Sequence, residues 1–273
     1  EQKVSKEASS YLTNLYNTGN PFGNPPADRD DLLKIAPKYD ETKEVLYWVG
    51  CMGAYDPRDR QIAETVIYLL KKANVNFGIL GSEEKCSGET ARRIGEEGLF
   101  QTLAASNIET FNKYNVKTII TSCPHCFNTF KNEYPDLGLN VNVIHHSEFL
   151  SGLIKEGKLK VKNSGAMVTY HEPCYLGRGN EIYDEPRFVI SSASELKEME
   201  NSREKSFCCG GGGGNYWYNV EKTESISHIR MNQAIETKAG ELGVACPFCM
   251  AMFSDAARTM NLEDKIKIKD ISE

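Results

Sequence analysis

The stretch Ile119–Cys126, IITSCPHC, runs an apolar, β-branched segment straight into a Cys-Pro-His-Cys pair, and Gly243–Cys249, GVACPFC, does the same again. Working outward from these two segments, every other cysteine of the leading half has a partner at a fixed interval. Cys51 recurs as Cys174, Cys86 as Cys208, Cys123 as Cys246 and Cys126 as Cys249, intervals of 122 or 123 residues. The flanks agree: LYWVGC (Leu46–Cys51) matches MVTYHEPC (Met167–Cys174), and SEEKCSG (Ser82–Gly88) matches EKSFCCG (Glu204–Gly210). A fixed period of this kind is the signature of a duplication. One position breaks it, where Ser87 stands opposite Cys209, so four thiols face five.

The segments around the thiols read as alternating strand and helix. EVLYWVG (Glu44–Gly50) is a short apolar run ending at Cys51, after which Ile62, Val66, Leu69, Leu70 and Ala73 recur at helical spacing. VNFGILG (Val75–Gly81) is a second strand leading to Cys86. A helical stretch interrupted at Gly95 and Gly98 follows, and KTIITS (Lys117–Ser122) delivers Cys123. VNVIHH (Val141–His146) and SEFLSGLIKEGK (Ser147–Lys158) add a strand and a helix. That order predicts an α/β fold of two pseudo-twofold-related repeats, each a small parallel sheet with flanking helices. In such sheets ligands sit beyond the carboxyl ends of the strands, where all three cysteine groups of each half leave. The polar turn KLKVKNSG (Lys158–Gly165) marks the boundary, giving repeats over 41–160 and 161–273. Residues 1–40 match neither repeat, and NTGNPFGNPP (Asn17–Pro26) has the composition of an N-terminal arm or linker.

At 273 residues and a net charge of −6, with pI near 5.6, the chain has a core of its own and no basic field for nucleic acid. It shows no run long enough to span a membrane and no signal-peptide series, which predicts an intracellular piece. Its first residue is Glu1 rather than a methionine, which suggests a processed or excised polypeptide. Nine cysteines exceed what packing uses, and an intracellular setting disfavours disulfides, so metal or redox chemistry gains weight.

Each Cys-X-X-Cys pair could chelate a metal or cycle as a dithiol. A dithiol motif explains none of the remaining thiols, which favours metal. Zinc and iron-sulfur clusters both accept four thiolates. In SFCCGGGGGNYW (Ser206–Trp217), five thiols exceed a closed zinc shell and two are adjacent, so a larger multi-iron group fits better. The glycines after the pair let backbone N–H groups approach cluster sulfur.

The pattern of a cysteine, about 34 residues, Cys-Cys-Gly, about 36 residues and Cys-X-X-Cys, with YHEPCYLGR (Tyr170–Arg178), YDEPR (Tyr183–Arg187) and FCCGGGGG (Phe207–Gly214), resembles the cysteine-rich CCG domain of heterodisulfide reductase catalytic subunits and their relatives. The resemblance spans about Val45 to Phe253. It implies a noncubane 4Fe-4S cluster on Cys174, Cys208, Cys209, Cys246 and Cys249. Gly210 and His171 lie beside that cluster as cofactor-binding candidates. Cys51, Cys86, Cys123 and Cys126 are the metal candidates of the first repeat, for a 4Fe-4S cluster or zinc. EKCSGETARRIGEE (Glu84–Glu97), CPHCFNTFKNEYP (Cys123–Pro135) and HHSEFL (His145–Leu150) are more similar to the iron-sulfur oxidoreductases that pass electrons from electron-transferring flavoprotein to menaquinone.

That similarity implies an iron-sulfur oxidoreductase whose partners are electron-transferring flavoprotein or another redox protein and a membrane-bound quinone-reacting domain or subunit. It places the chain in the cytoplasm, held at a membrane through domains or partners outside it. The alternatives are a heterodisulfide reductase catalytic subunit, which in the relatives uses two five-cysteine sites, and a structural zinc module.

Other residues divide more simply. His145 and His146 read as satisfied histidines at a strand end, and His171 as a donor to cluster sulfur or substrate. Arg178 reads as neutralising cluster charge, Arg187 as that or a partner of carboxylates, and Tyr216, Trp217 and Tyr218 as packing or water-shielding aromatics. The glycine run lacks the Lys-Ser or Lys-Thr of a phosphate loop.

Overall fold

The computed structural model describes residues 6–217 and 225–273; Tyr218 lies outside them. The chain forms two compact units, one of residues 1–145 with 213–220 and one of 146–212 with 221–273.

The first unit is built on a parallel sheet of β1 (Val45–Trp48), β2 (Phe77–Gly78), β3 (Thr118–Thr121) and β4 (Asn142–His145), in the order β2-β1-β3-β4. All four residues of β1 are buried, as expected of a strand covered on both faces. β1 pairs with β3 from Leu46↔Ile119 to Trp48↔Thr121, so the two strands end level with each other. Their crossovers leave in opposite directions, β1 to β2 on one side and β3 to β4 on the other. The β1/β3 gap is therefore a topological switch point, where open α/β sheets hold ligands. Cys51 and Cys123 follow these two strand ends.

The helix Pro57–Lys72 crosses over from β1 to β2. Asp56 caps it by accepting from the Arg58 and Asp59 N–H groups at 2.9 and 3.0 Å, Pro57 needs no partner in the first turn, and Lys71 and Lys72 sit against the negative end. Ile62, Ala63, Val66, Ile67 and Leu70 bury its inner face. Behind the sheet, Trp48 meets the edges of Phe111 and Phe130 at ring-centroid distances of 5.6 and 4.8 Å, an arrangement aromatic rings favour. β2 takes up two residues of the segment Val75–Gly81, and Ile79 beyond it forms an isolated parallel bridge to Lys38.

The second unit repeats the plan with β5 (Met167–Tyr170), β6 (Glu195–Lys197), β7 (Glu241–Val244) and β8 (Lys267–Asp270), parallel and in the order β6-β5-β7-β8. β5 and β7 are paired from Val168↔Glu241 to Tyr170↔Gly243, and Cys174 and Cys246 follow their ends. The α/β class and the repeated parallel sheets are those expected from the sequence. Among the described residues no helix is long and apolar enough to cross a membrane.

Candidate functional site

Both Cys-Pro-X-Cys pairs use one local device. Cys123 and Cys246 occupy the N-cap positions of the helices Pro124–Asn128 and Pro247–Thr259, with proline in the first turn where a missing N–H costs nothing. The second cysteine of each pair follows one turn into its helix. Cys123, Cys126, Cys246 and Cys249 are all buried.

In the first unit Cys51 meets Cys86, and Cys126 meets Cys123 and Ser87. Contact with Cys51 and burial push the Cys86 thiol up. Contact with Cys123, opposed by burial and aided by Ser87, pulls Cys126 down. The turn after Cys86 is left-handed at Gly88, φ +79°, whose N–H points back at Cys86 Sγ at 3.4 Å. A Cβ there would lie 3.1 Å from the Phe100 ring, so both the backbone conformation and the space favour glycine. Ser87 is 2 % exposed, and its Oγ lies 3.5 Å from Cys126 Sγ.

The second unit repeats these contacts with sulfur in place of that oxygen. Gly210, φ +86°, directs its N–H at Cys208 Sγ at 3.2 Å, and Cys209 Sγ lies 3.4 Å from Cys249 Sγ. Ser87 and Cys209 therefore hold equivalent places. Contacts run on from Cys174 to Cys208, Cys208 to Cys209, Cys209 to Cys249 and Cys249 to Cys246, joining all five thiols. The neighbours Cys174 and Cys209, with the Gly210 N–H, pull the Cys208 thiol down against burial. Its own thiolate then pushes Cys174 up. Thiols this crowded cannot all ionise unless a cation shares their charge, which is the condition a bound metal group satisfies.

His171 adds a second observation that bears on whether such a group fits. Burial and the adjacent Arg230 cation push its pKa well below the ordinary value, so the ring is neutral. Arg230 Nε donates to Nδ1 at 3.3 Å, which leaves the ring proton on Nε2. Nε2 is buried and has no hydrogen-bond partner among the described residues. A ring nitrogen of His171 and the sulfurs of Cys209 and Cys249 lie within 4.8 Å of one another. An orphaned donor, two glycine cradles and a sulfur-only donor set fit an iron-sulfur group.

The remaining candidates fall into plainer roles. Arg178 donates to the carbonyl and hydroxyl of Ser206, and Arg187 pairs with Glu172 and Glu198. His145 lies 3.4 Å from the Ser122 carbonyl and His146 3.1 Å from Asp270. Trp217 packs at a tilt against Tyr11 and edge-on against Phe22, with ring centroids at 4.9 and 5.5 Å, on the cluster against which Cys86 also packs, and Tyr216 packs edge-on against Trp217.

Sequence reasoning missed Arg29, Glu84 and Arg230, each buried. Arg29 sits in the segment read as an arm, and its Nη2 donates to Cys51 Sγ at 3.4 Å. Gly19, from the same segment, accepts the Cys86 N–H at 2.7 Å. Burial works against the charge of Arg29, but Glu84 and Cys51 outweigh it and keep the guanidinium cationic.

The CCG cysteine-rich domain model matches the chain twice, over residues 45–131 and 168–254. The chain belongs to the CCG cysteine-rich domain family. It is 41 % identical to the Bacillus subtilis probable iron-sulfur-binding oxidoreductase FadF over all of this chain and 41 % of that protein. Identity to the EtfAB:quinone oxidoreductase of Syntrophomonas wolfei is 38 %, over 98 % of this chain and 40 % of the relative. One of the subunits of the Methanosarcina mazei dihydromethanophenazine:CoB–CoM heterodisulfide reductase is 32 % identical over 93 % of this chain and 63 % of its own length. The chain thus spans about two fifths of the first two relatives and under two thirds of the third. As a member of this family, the chain has homologues named as iron-sulfur oxidoreductases and heterodisulfide reductase subunits, in keeping with the resemblance read from its cysteines.

Proposed function

We propose that this chain is the iron-sulfur electron-transfer module of a flavoprotein-to-quinone oxidoreductase. Cys174, Cys208, Cys209, Cys246 and Cys249 would hold a noncubane 4Fe-4S cluster, with the Gly210 N–H on Cys208 and the His171 Nε2–H directed at cluster sulfur. Cys51, Cys86, Cys123 and Cys126 would hold a smaller four-thiolate group, 4Fe-4S or zinc. Such a cluster supplies reversible one-electron uptake. The chain's own residues bury it, set its hydrogen bonds and exclude water. On this reading the repeats 41–160 and 161–273 each carry one group, and the chain works at a membrane through domains or partners outside it. A reduced flavoprotein gives up electrons singly, and a quinone-reacting partner consumes two electrons and two protons per quinone.

The observation that carries this reading is Ser87 standing where the second unit has Cys209, in the same turn and 3.5 Å against 3.4 Å from the second thiol of its Cys-X-X-Cys pair. Disulfide reduction by a pair of five-thiol sites lacks one of its sites here, whereas electron transfer needs only a cluster. The likeness to EtfAB:quinone oxidoreductase supports the same choice. The likeness to the heterodisulfide reductase of Methanosarcina mazei supports the second reading, a disulfide-reducing catalytic chain. Stopped-flow mixing separates them. Rapid electron exchange with reduced electron-transferring flavoprotein and silence toward heterodisulfides of thiol coenzymes is the expected result. Saturable turnover with a heterodisulfide and silence toward the flavoprotein would reverse the order.

A further inference from the structure

We propose that Arg29 is a positioning residue of the first site, a cationic donor that holds the Cys51 sulfur in place as a metal ligand and makes residues 26–34 part of that site. The inference rests on the reading that Cys51 is a ligand.

The geometry is specific. Arg29 lies on the 3-10 helical segment Pro26–Lys34, is 2 % exposed, and spends its guanidinium on three groups around one turn of chain. Nη1 pairs with Glu84 Oε1 at 2.6 Å and donates to the Gly50 carbonyl at 3.2 Å, while Nη2 donates to Cys51 Sγ at 3.4 Å. Glu84 in turn accepts the Val49 and Gly50 N–H groups at 3.0 and 2.8 Å. The β1 exit that carries Cys51 is thus gripped from both sides, its N–H groups by Glu84 and its carbonyl and thiol by Arg29. The Tyr55 ring backs the guanidinium at 4.9 Å. Gly50 makes the turn possible with φ +77°.

A buried ion pair is not in itself a stabilising choice, since two charges taken from water cost about as much as their attraction returns. Glu84 alone does not explain why the guanidinium fork ends on a sulfur. A thiolate ligand brings negative charge to that spot, and Arg, with a fixed fork and permanent charge, answers it while remaining paired with Glu84. Among the described residues the second unit offers no equivalent contact: Arg178 donates to Ser206 and Arg230 to His171 rather than to a thiol. Groups of this kind around a metal ligand are worth about 10- to 100-fold in metal affinity.

The test compares the whole chain with Arg29→Met and the double variant Arg29→Met/Glu84→Gln, all prepared anaerobically. First-site metal is defined as the share absent from Cys86→Ala. Each protein is exposed to EDTA, and metal retention and thermal unfolding are followed together. Arg29→Met leaves Glu84 buried and unpaired and should unfold at lower temperature. The double variant removes both charges and should recover stability, yet its first-site retention should stay about 10- to 100-fold weaker than in the parent, with second-site iron unchanged in every protein. Recovery of first-site metal along with stability assigns Arg29 to packing alone and overturns the inference. No metal in the first site of the parent chain overturns it together with the reading beneath it.

Discussion

Replacing Gly210 by alanine should damage the second unit in a way that replacing Gly212 should not. Gly210 has φ +86°, and a Cβ built there would lie 3.2 Å from Ile226 Cβ. The left-handed conformation alone costs a residue with a side chain about 1–2 kcal/mol. The contact with a branched carbon asks for a further small displacement of Ile226. The same φ holds the Gly210 N–H 3.2 Å from Cys208 Sγ, so relaxing the strain withdraws that donor from the thiol. Gly212 has neither a positive φ nor an atom within 4 Å of the added carbon, so Gly212→Ala should fall within about 0.5 kcal/mol of the parent. Thermal unfolding of the metal-loaded protein should show a decrease of about 2–4 °C per kcal/mol for Gly210→Ala, together with loss of iron from the second site. Equal melting temperatures and equal iron in the two variants would refute the claim that this turn is a cradle.

Cys86→Ala should empty the first site and spare the second, as iron and zinc analysis of the two proteins will show; loss of both groups together argues for one group shared by the halves. Cys209→Ser should abolish the spectroscopic signature of the second site, and Ser87→Cys should confer it on the first, both read by electron paramagnetic resonance; an unchanged Cys209→Ser spectrum removes Cys209 from the ligand set. Partial burial opposes ionisation of Glu83, but hydrogen bonds from Lys113, Lys38 and Tyr114 hold its carboxyl down to about 2. A depressed carboxylate stabilises the fold above its unfolded value, about 4.3, and that contribution fades as pH falls toward 2. Glu83→Gln should therefore be less stable than the parent at neutral pH and converge with it in acid, by unfolding titrations across that range.

The architecture was legible because the thiols mark it. Intervals of 122 and 123 residues between matched cysteines fix the duplication, and the apolar run ending at Cys51 places a strand whose counterpart precedes Cys174. The close approach of backbone to sulfur at Gly210 was legible because glycines follow two adjacent thiols, whereas the matching turn at Gly88 follows a single thiol and was not singled out. What escaped was carried by residues distant in sequence or without a repeat. Arg29 lies 22 positions from Cys51, in a segment whose proline and glycine content reads only as irregular chain. Arg230 lies 59 positions from His171 and looks like one more surface charge on the helix Ile226–Glu236, yet it is fully buried and sets which nitrogen of His171 bears the proton. Glu84 sits in SEEKC, a string of charges that composition assigns to solvent, and is 3 % exposed because Arg29 and two backbone N–H groups receive it. A signal for such residues exists only in three dimensions, as a charge buried against the chain that presents a thiol.

The central claim is that the five thiols of the second unit enclose iron and inorganic sulfide. Quantifying iron, zinc and acid-labile sulfide per chain in anaerobically prepared protein, alongside the variant with Cys174, Cys208, Cys209, Cys246 and Cys249 replaced by serine, tests it most directly. The expected result is about four iron and four sulfide per chain in excess of that variant, in a brown protein. Zinc alone, with no acid-labile sulfide in either protein, would contradict it.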